Sequence, residues 1–204
     1  IMITIIDYGL GNIGSITNTL ASLGVPSTVS ANPRVVEAAA ALLLPGVGAA
    51  GVGMQNLKAR NLDSAIQKSI RSGKPFIGFC LGMQLLFEYS QEADTTCLGV
   101  FKGTVKKFRK EKKVPQIGWN TVSMNAQNPM AKRLFDGLPS SEFYFVNSYY
   151  PVPEDTRIVA ATTQYGETFA SAIAVGNIFA TQFHPEKSGK AGKLLLTNFI
   201  KENL

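Results

Sequence analysis

Cys80, His184 and Glu186 are the side chains whose types and spacing could carry out covalent chemistry. Cys80 stands in the run Ile77-Gly78-Phe79-Cys80-Leu81-Gly82-Met83-Gln84. The apolar stretch 75–79 reads as a buried strand, and 81–87 has helical spacing. Cys80 is therefore placed on a sharp strand-to-helix turn, with a small residue two positions to either side. That is the geometry of a nucleophile elbow with sulfur in place of a hydroxyl. The turn lifts the side chain out of the sheet and aims the positive end of a helix at the sulfur, which favours the thiolate. A buried structural cysteine accounts for the turn alone equally well.

His184, in Thr181-Gln182-Phe183-His184-Pro185-Glu186-Lys187-Ser188, is the only histidine in the chain. If Cys80 needs an imidazole as its base, no other residue can supply one. Glu186 lies two positions further on. Its carboxylate can hold one ring nitrogen as N–H and leave the other to take the thiol proton. A loop histidine beside a solvated glutamate would explain the His-Pro-Glu run by itself. Paired with the Cys80 turn, the triad is the reading carried forward.

The elements that must position these groups alternate in the first half of the chain. Strands are expected over 2–6, 25–29, 41–44 and 75–79, and helices over 13–23, 35–39, 54–57 and 62–70, with Gly24 ending the first helix. Continuous apolar strands in β-α alternation argue for a mostly parallel open sheet with helices on both faces, an α/β fold. From about residue 104 the pattern changes to short strand-like runs at 104–108, 116–122, 143–148, 158–162, 170–175 and 178–182. These read as an antiparallel extension feeding a last central strand, and a helix over 192–202 closes the chain. Absence of repeats, low-complexity segments and linkers predicts one domain spanning 1–204. In an open α/β sheet, ligands bind beyond the carboxyl ends of the strands. Cys80, His184 and the loop 45–48 each follow a strand at that end, so they can meet.

Two glycine loops invite a phosphate-binding reading. Neither Gly9-Leu10-Gly11-Asn12 nor Pro45-Gly46-Val47-Gly48 is followed by Gly-Lys-Ser/Thr, and Gly9 to Gly14 matches G-x-G-x-x-G without an acidic residue about 20 positions on. The second loop suits another role. Backbone N–H groups at Val47 and Gly48, with that of Leu81, can form an oxyanion hole beside the thiolate. For the first loop, a tight turn serves as well as any function.

Bulk properties describe a soluble globule: 204 residues, 45% hydrophobic, 17% charged, net charge +6. No apolar run reaches the ~18 residues of a membrane span. The N-terminal run 1–7 lacks a basic leader and reads as a first strand, and Ile1 ahead of Met2 hints at processing or a fusion junction. A Cys80–Cys97 disulfide would consume the nucleophile, so free thiols and a reducing cytoplasm are expected. No Cys/His cluster has metal-ligand spacing, and neither metal nor cofactor is expected. Between Lys102 and Lys113 the chain carries seven basic residues against Glu111 alone. Phe108 is the sole aromatic there, too few for a stacking surface, so a solvated strand resting on Val105 and Phe108 is preferred to a nucleic-acid site. An acidic protein partner stays open.

At this point the residues resemble a known group. A Gly-x-Cys-x-Gly elbow, an upstream Pro-Gly-x-Gly loop and a late His-Pro-Glu are the signature of class I glutamine amidotransferases. Within them the chain is most similar to the glutaminase subunits of imidazole glycerol phosphate synthases, through the segments 7–12, 44–48, 78–84, 116–120, 143–149 and 183–188. The resemblance implies that Cys80 attacks the side-chain amide of L-glutamine to form a glutamyl thioester. His184 would shuttle the proton and Glu186 orient it. Val47, Gly48 and Leu81 would hold the oxyanion, and Gln84, Ser148 and Tyr149 the substrate. It further implies a (βα)8-barrel cyclase partner that receives the ammonia in a heterodimer and serves histidine biosynthesis. Trp119, Asn120, Tyr144 and Lys187 would face that partner, though core packing explains Trp119 and Tyr144 equally. Asn147 departs from the family's usual histidine: it can hydrogen-bond but cannot carry a proton near neutral pH. Paralogues feeding pyridoxal phosphate synthesis or sugar amination, and a non-catalytic module of this fold, remain the alternatives.

Overall fold

The computed structural model describes residues 1–110 and 113–203. In chain order the elements are β1 (Ile3–Ile6), α1 (Ile13–Ser22), β2 (Ser27–Ser30), α2 (Pro33–Ala38), β3 (Ala41–Leu44), α3 (Ala50–Ala59), α4 (Leu62–Arg71), β4 (Phe76–Phe79) and α5 (Leu81–Gln84). They continue with β5 (Phe87–Ser90), β6 (Thr95–Thr96), β7 (Phe101–Lys107), β8 (Gln116–Thr121), β9 (Ser123–Met124), α6 (Pro129–Leu134), β10 (Glu142–Asn147) and β11 (Tyr149–Pro153). The chain then runs through β12 (Val159–Tyr165), β13 (Glu167–Val175), β14 (Ile178–Thr181) and α7 (Gly189–Asn203).

Eight strands form the main sheet in the order β2-β1-β3-β4-β14-β13-β12-β9. The first five are mutually parallel, and β13, β12 and β9 add antiparallel at one side. Strands β1, β3, β4 and β14 are buried at every position, as expected where both faces are covered. Side chains alternate between two cores. Leu43, Ile77 and Phe79 face α1 and α7, whereas Leu42, Leu44 and Phe76 face α2, α3 and α4. No described helix is long and apolar enough to cross a membrane.

Local chemistry explains the element ends. Asn12 caps α1 by accepting from the Ser15 N–H at 3.1 Å, so the glycine loop before it is a strand-to-helix turn. Asn61, in the left-handed region at φ 55°, separates α3 from α4.

Two expectations change. The runs near 104–108, 116–122 and 143–148 do not extend the main sheet. They form two separate small sheets, β10-β8 and β11-β7-β5-β6, which pack across one core through Phe108, Phe143 and Phe145. Only the later runs extend the main sheet. The helix expected over 81–87 stops at Gln84, and Phe87 already begins β5, because Leu98, Gly99, Val100 and Phe101 take the carbonyls of 85–87. The basic run begins in β7: Lys102, Lys106 and Lys107 are exposed while Val105, and Phe108 just after the strand, are buried. Glu111 and Lys112 of that run lie outside the described residues.

Candidate active site

Strands β3, β4 and β14 are neighbours and parallel, so their carboxyl ends open at one place. The loop 45–48 leaves β3, Cys80 leaves β4, and Gln182 to Glu186 leave β14. The Cys80 N–H donates to Thr181 O at 2.7 Å, which ties the elbow to the strand carrying the histidine.

Cys80 adopts φ 50°, ψ −107°, a backbone conformation that side chains rarely occupy. It is held there by close approach. A Cβ on Gly82 would lie 2.1 Å from Leu44 O, so only glycine lets the turn press against β3. Since α5 is a single turn, the helix field on the sulfur is that of a few orphan N–H groups rather than of a long helix. The Cys80 thiol lies 3.7 Å from Val146 O, and the Gln182 amide Nε2 donates to Sγ at 3.5 Å.

His184 Nδ1 pairs with Glu186 Oε1 at 2.9 Å, with side chains 2% and 1% exposed. Its Nε2 is buried and has no partner of hydrogen-bonding geometry. Burial opposes the charged ring, but interaction with Cys80 and Glu186 outweighs it and pushes the imidazole from 6.5 up to about 10.

Cys80 and His184 line a cavity of about 290 Å³ together with Val47, Gly48, Leu81, Gln84, Ser148, Tyr149 and Lys187. Gly48 sits at φ 114°, where a side chain would be strained. Gln84, 5% exposed, donates from Nε2 to Tyr149 O and to Gln182 Oε1, both at 3.0 Å. Asn147 also lines the cavity, donates from Nδ2 to Tyr149 O at 2.9 Å, and keeps Oδ1 unpartnered.

Trp119 and Tyr144 pair across β8 and β10 with ring centroids 6.0 Å apart, and Lys187 Nζ lies 5.9 Å above the Tyr144 ring. Trp119 is 57% exposed beside Ile117 at 64%, so it is not core. Asn120 pairs with Phe143, and its amide donates to Gln164 O at 3.0 Å. It therefore lies on the opposite face of β8 from Trp119.

Three residues escaped the sequence reading. Glu92, the only acidic residue among the described ones lining the cavity, accepts from the Ala50 N–H at 2.8 Å. The buried Tyr8 hydroxyl donates to Pro45 O at 2.8 Å, and burial together with the Cys80 charge keeps it protonated. Gln182 is fully buried. None belongs to a compact motif around Cys80. Only Gln182, two residues before His184, carried a positional hint.

The family model described as glutamine amidotransferase class-I matches residues 4–203. A protein of Dehalococcoides mccartyi is 43% identical over 202 residues, covering 98% of this chain and 97% of that protein. One of Aquifex aeolicus is 46% identical over 201 residues, covering 97% and 95%. Both are named imidazole glycerol phosphate synthase subunit HisH. Among solved structures, a glutamine amidotransferase superposes with a TM-score of 0.73 at 18% identity, covering 97% of each chain. PurLQS from Thermotoga maritima gives 0.75 at 17%, covering 98% of each. These two likenesses concern the fold.

Proposed function

The chain belongs to the class-I glutamine amidotransferase family, and we propose that it is the glutaminase subunit of an imidazole glycerol phosphate synthase, supplying ammonia for histidine biosynthesis. One observation carries the chemistry: the sole histidine, held by a buried carboxylate, shares a small cavity with a cysteine on a strained elbow. The relatives' shared name supports the acceptor.

In this reading the Cys80 thiolate attacks the side-chain amide carbon of glutamine. Negative charge gathers on the amide oxygen, facing the N–H groups of Leu81 and the Val47–Gly48 segment. The His184 imidazolium gives its proton to the leaving nitrogen, ammonia departs and a glutamyl thioester remains. Water then attacks the thioester, His184 takes its proton, and glutamate leaves with the thiolate restored. Glu186 fixes the ring through Nδ1, so Nε2 does the proton work. Gln84, Ser148 and Tyr149 hold the substrate, and the Glu92 carboxylate meets its ammonium group. Asn147 braces the Tyr149 carbonyl, and no proton passes through it.

The exposed face of Ile117, Trp119 and Tyr144, with Lys187 reaching from the cavity to the Tyr144 ring, is the docking surface for a (βα)8-barrel cyclase in a heterodimer. Ammonia crosses there rather than through solvent. Asn120 braces β8 from behind. The described chain works as one glutaminase domain, and its two free thiols suit a reducing cytoplasm.

Glutamate release from glutamine tests the reading, measured with the chain alone, with a cyclase subunit, and with that subunit plus its ribotide substrate. A sharp rise only in the third mixture is the expected result. Brisk release by the chain alone, unaffected by the cyclase, would move the protein to another acceptor.

A further inference from the structure

The fully buried Gln182 has no place in the triad, yet it is hydrogen-bonded to the reacting sulfur. Four buried groups form one chain of hydrogen bonds. Asn147 Nδ2 and Gln84 Nε2 both donate to Tyr149 O, Gln84 Nε2 also donates to Gln182 Oε1, and Gln182 Nε2 donates to Cys80 Sγ.

The direction of this chain is set at its far end. Tyr149 O is a backbone carbonyl and can only accept, so Gln84 must present its NH2 group there. The same NH2 group faces Gln182, which must answer with its carbonyl oxygen. The remaining side of the Gln182 amide is then N–H, and it faces the sulfur. Turning Gln182 would set its NH2 group against that of Gln84, donor against donor. Turning Gln84 would set its carbonyl oxygen against Tyr149 O and Gln182 Oε1, acceptor against acceptor, and either is costly in a buried site.

We propose that Gln182 acts on the nucleophile as a permanent hydrogen-bond donor that stabilises the Cys80 thiolate. The inference rests on Cys80 being the nucleophile of the glutaminase reaction. His184 also interacts with the sulfur, but its mobile proton leaves with the amine in each turnover. An amide N–H cannot be transferred near neutral pH, so Gln182 keeps donating while His184 is neutral. The sulfur carries charge before it attacks and again as it leaves the thioester, and both moments draw on this donor. Val146 O, 3.7 Å from the sulfur, can accept from the thiol but cannot stabilise the anion. Gln182 does not line the cavity, so it should affect the reactivity of the sulfur rather than the binding of glutamine.

The test is the rate of Cys80 carboxamidomethylation by iodoacetamide as a function of pH, resolved by peptide mass spectrometry. Cys97, whose thiol burial pushes up to about 11, is the internal control. Gln182→Met keeps the bulk, removes the donor and leaves Gln84 bonded to Tyr149 O. The Cys80 pH midpoint should rise by about one unit and the neutral-pH rate should fall about tenfold, with the Cys97 profile unchanged. In the assembled synthase, kcat should fall while KM stays near that of the parent. Should Gln182→Met fail to fold, Gln182→Asn withdraws the donor by one methylene and should shift the midpoint in the same direction. A parental Cys80 profile in either folded variant overturns the proposal. A shifted profile in a chain whose parent releases no glutamate with its partner would sustain the role of Gln182 and overturn the glutaminase reading instead.

Discussion

His184 links chemistry to stability at the level of single residues. Its folded form holds a proton more tightly than the ordinary imidazole, from 6.5 up to about 10. The stabilising contribution is therefore complete below about pH 6.5 and is lost as pH rises through about 10. The urea midpoint of the parent should fall over that window, and His184→Gln should flatten the fall. A parent and variant with parallel profiles would refute the coupling. Cys80→Ser retains shape and loses the soft nucleophile, so glutamate release should drop by about a thousandfold or more, while binding of the partner subunit is retained. A serine variant with near-parental turnover would remove Cys80 from the mechanism.

The elements matter through one contact that no side chain makes. The elbow exists because α5 begins against the carboxyl end of β3, where Gly82 lets the backbone press on Leu44 O. Gly82→Ala places a methyl group where the carbonyl already lies, and should cost about 3 kcal/mol in urea unfolding. Activity should fall further than stability, since the displaced turn carries Cys80. A Gly82→Ala variant of parental stability would show that the turn relaxes without strain. The same elements explain the short helix. After one turn, the chain is drawn away by hydrogen bonds between 98–101 and the carbonyls of 85–87. Apolar residues 85–87 fit either a helix face or a buried strand, and a long-range pairing decided between them.

On the scale of the whole molecule, the cavity and the aromatic face occupy neighbouring parts of the two-stranded β8-β10 sheet. Val146 and Asn147 line the cavity, while Trp119 and Tyr144 sit further along the ladder. Trp119 is the chain's only tryptophan and is 57% exposed. Docking of the cyclase should bury it, and its fluorescence should move to shorter wavelength on titration. Trp119→Ala should weaken assembly by about 2 kcal/mol, roughly thirtyfold in Kd, without changing the melting temperature of the free chain. Unchanged emission at saturating partner would place the interface elsewhere.

The sequence by itself determined the candidate groups for chemistry and the strands that carry them. Cysteine with flanking glycines, a single histidine and a carboxylate two residues on are local patterns, and apolar runs alternating with helical spacing imply a parallel sheet. Their apolar character also marked Val105 and Phe108 as the buried residues of a charged run. Only the tertiary structure decided which strands became neighbours, and hence that β3, β4 and β14 open together. It decided that Trp119 faces outward and Asn120 inward, because a strand alternates its sides while its register comes from the partner strand. It also brought Tyr8, Glu92 and Gln182 to the site. Each acts through a hydrogen bond to a group distant in the chain, and a hydrogen bond between distant residues leaves no periodicity in the sequence from which it could be read.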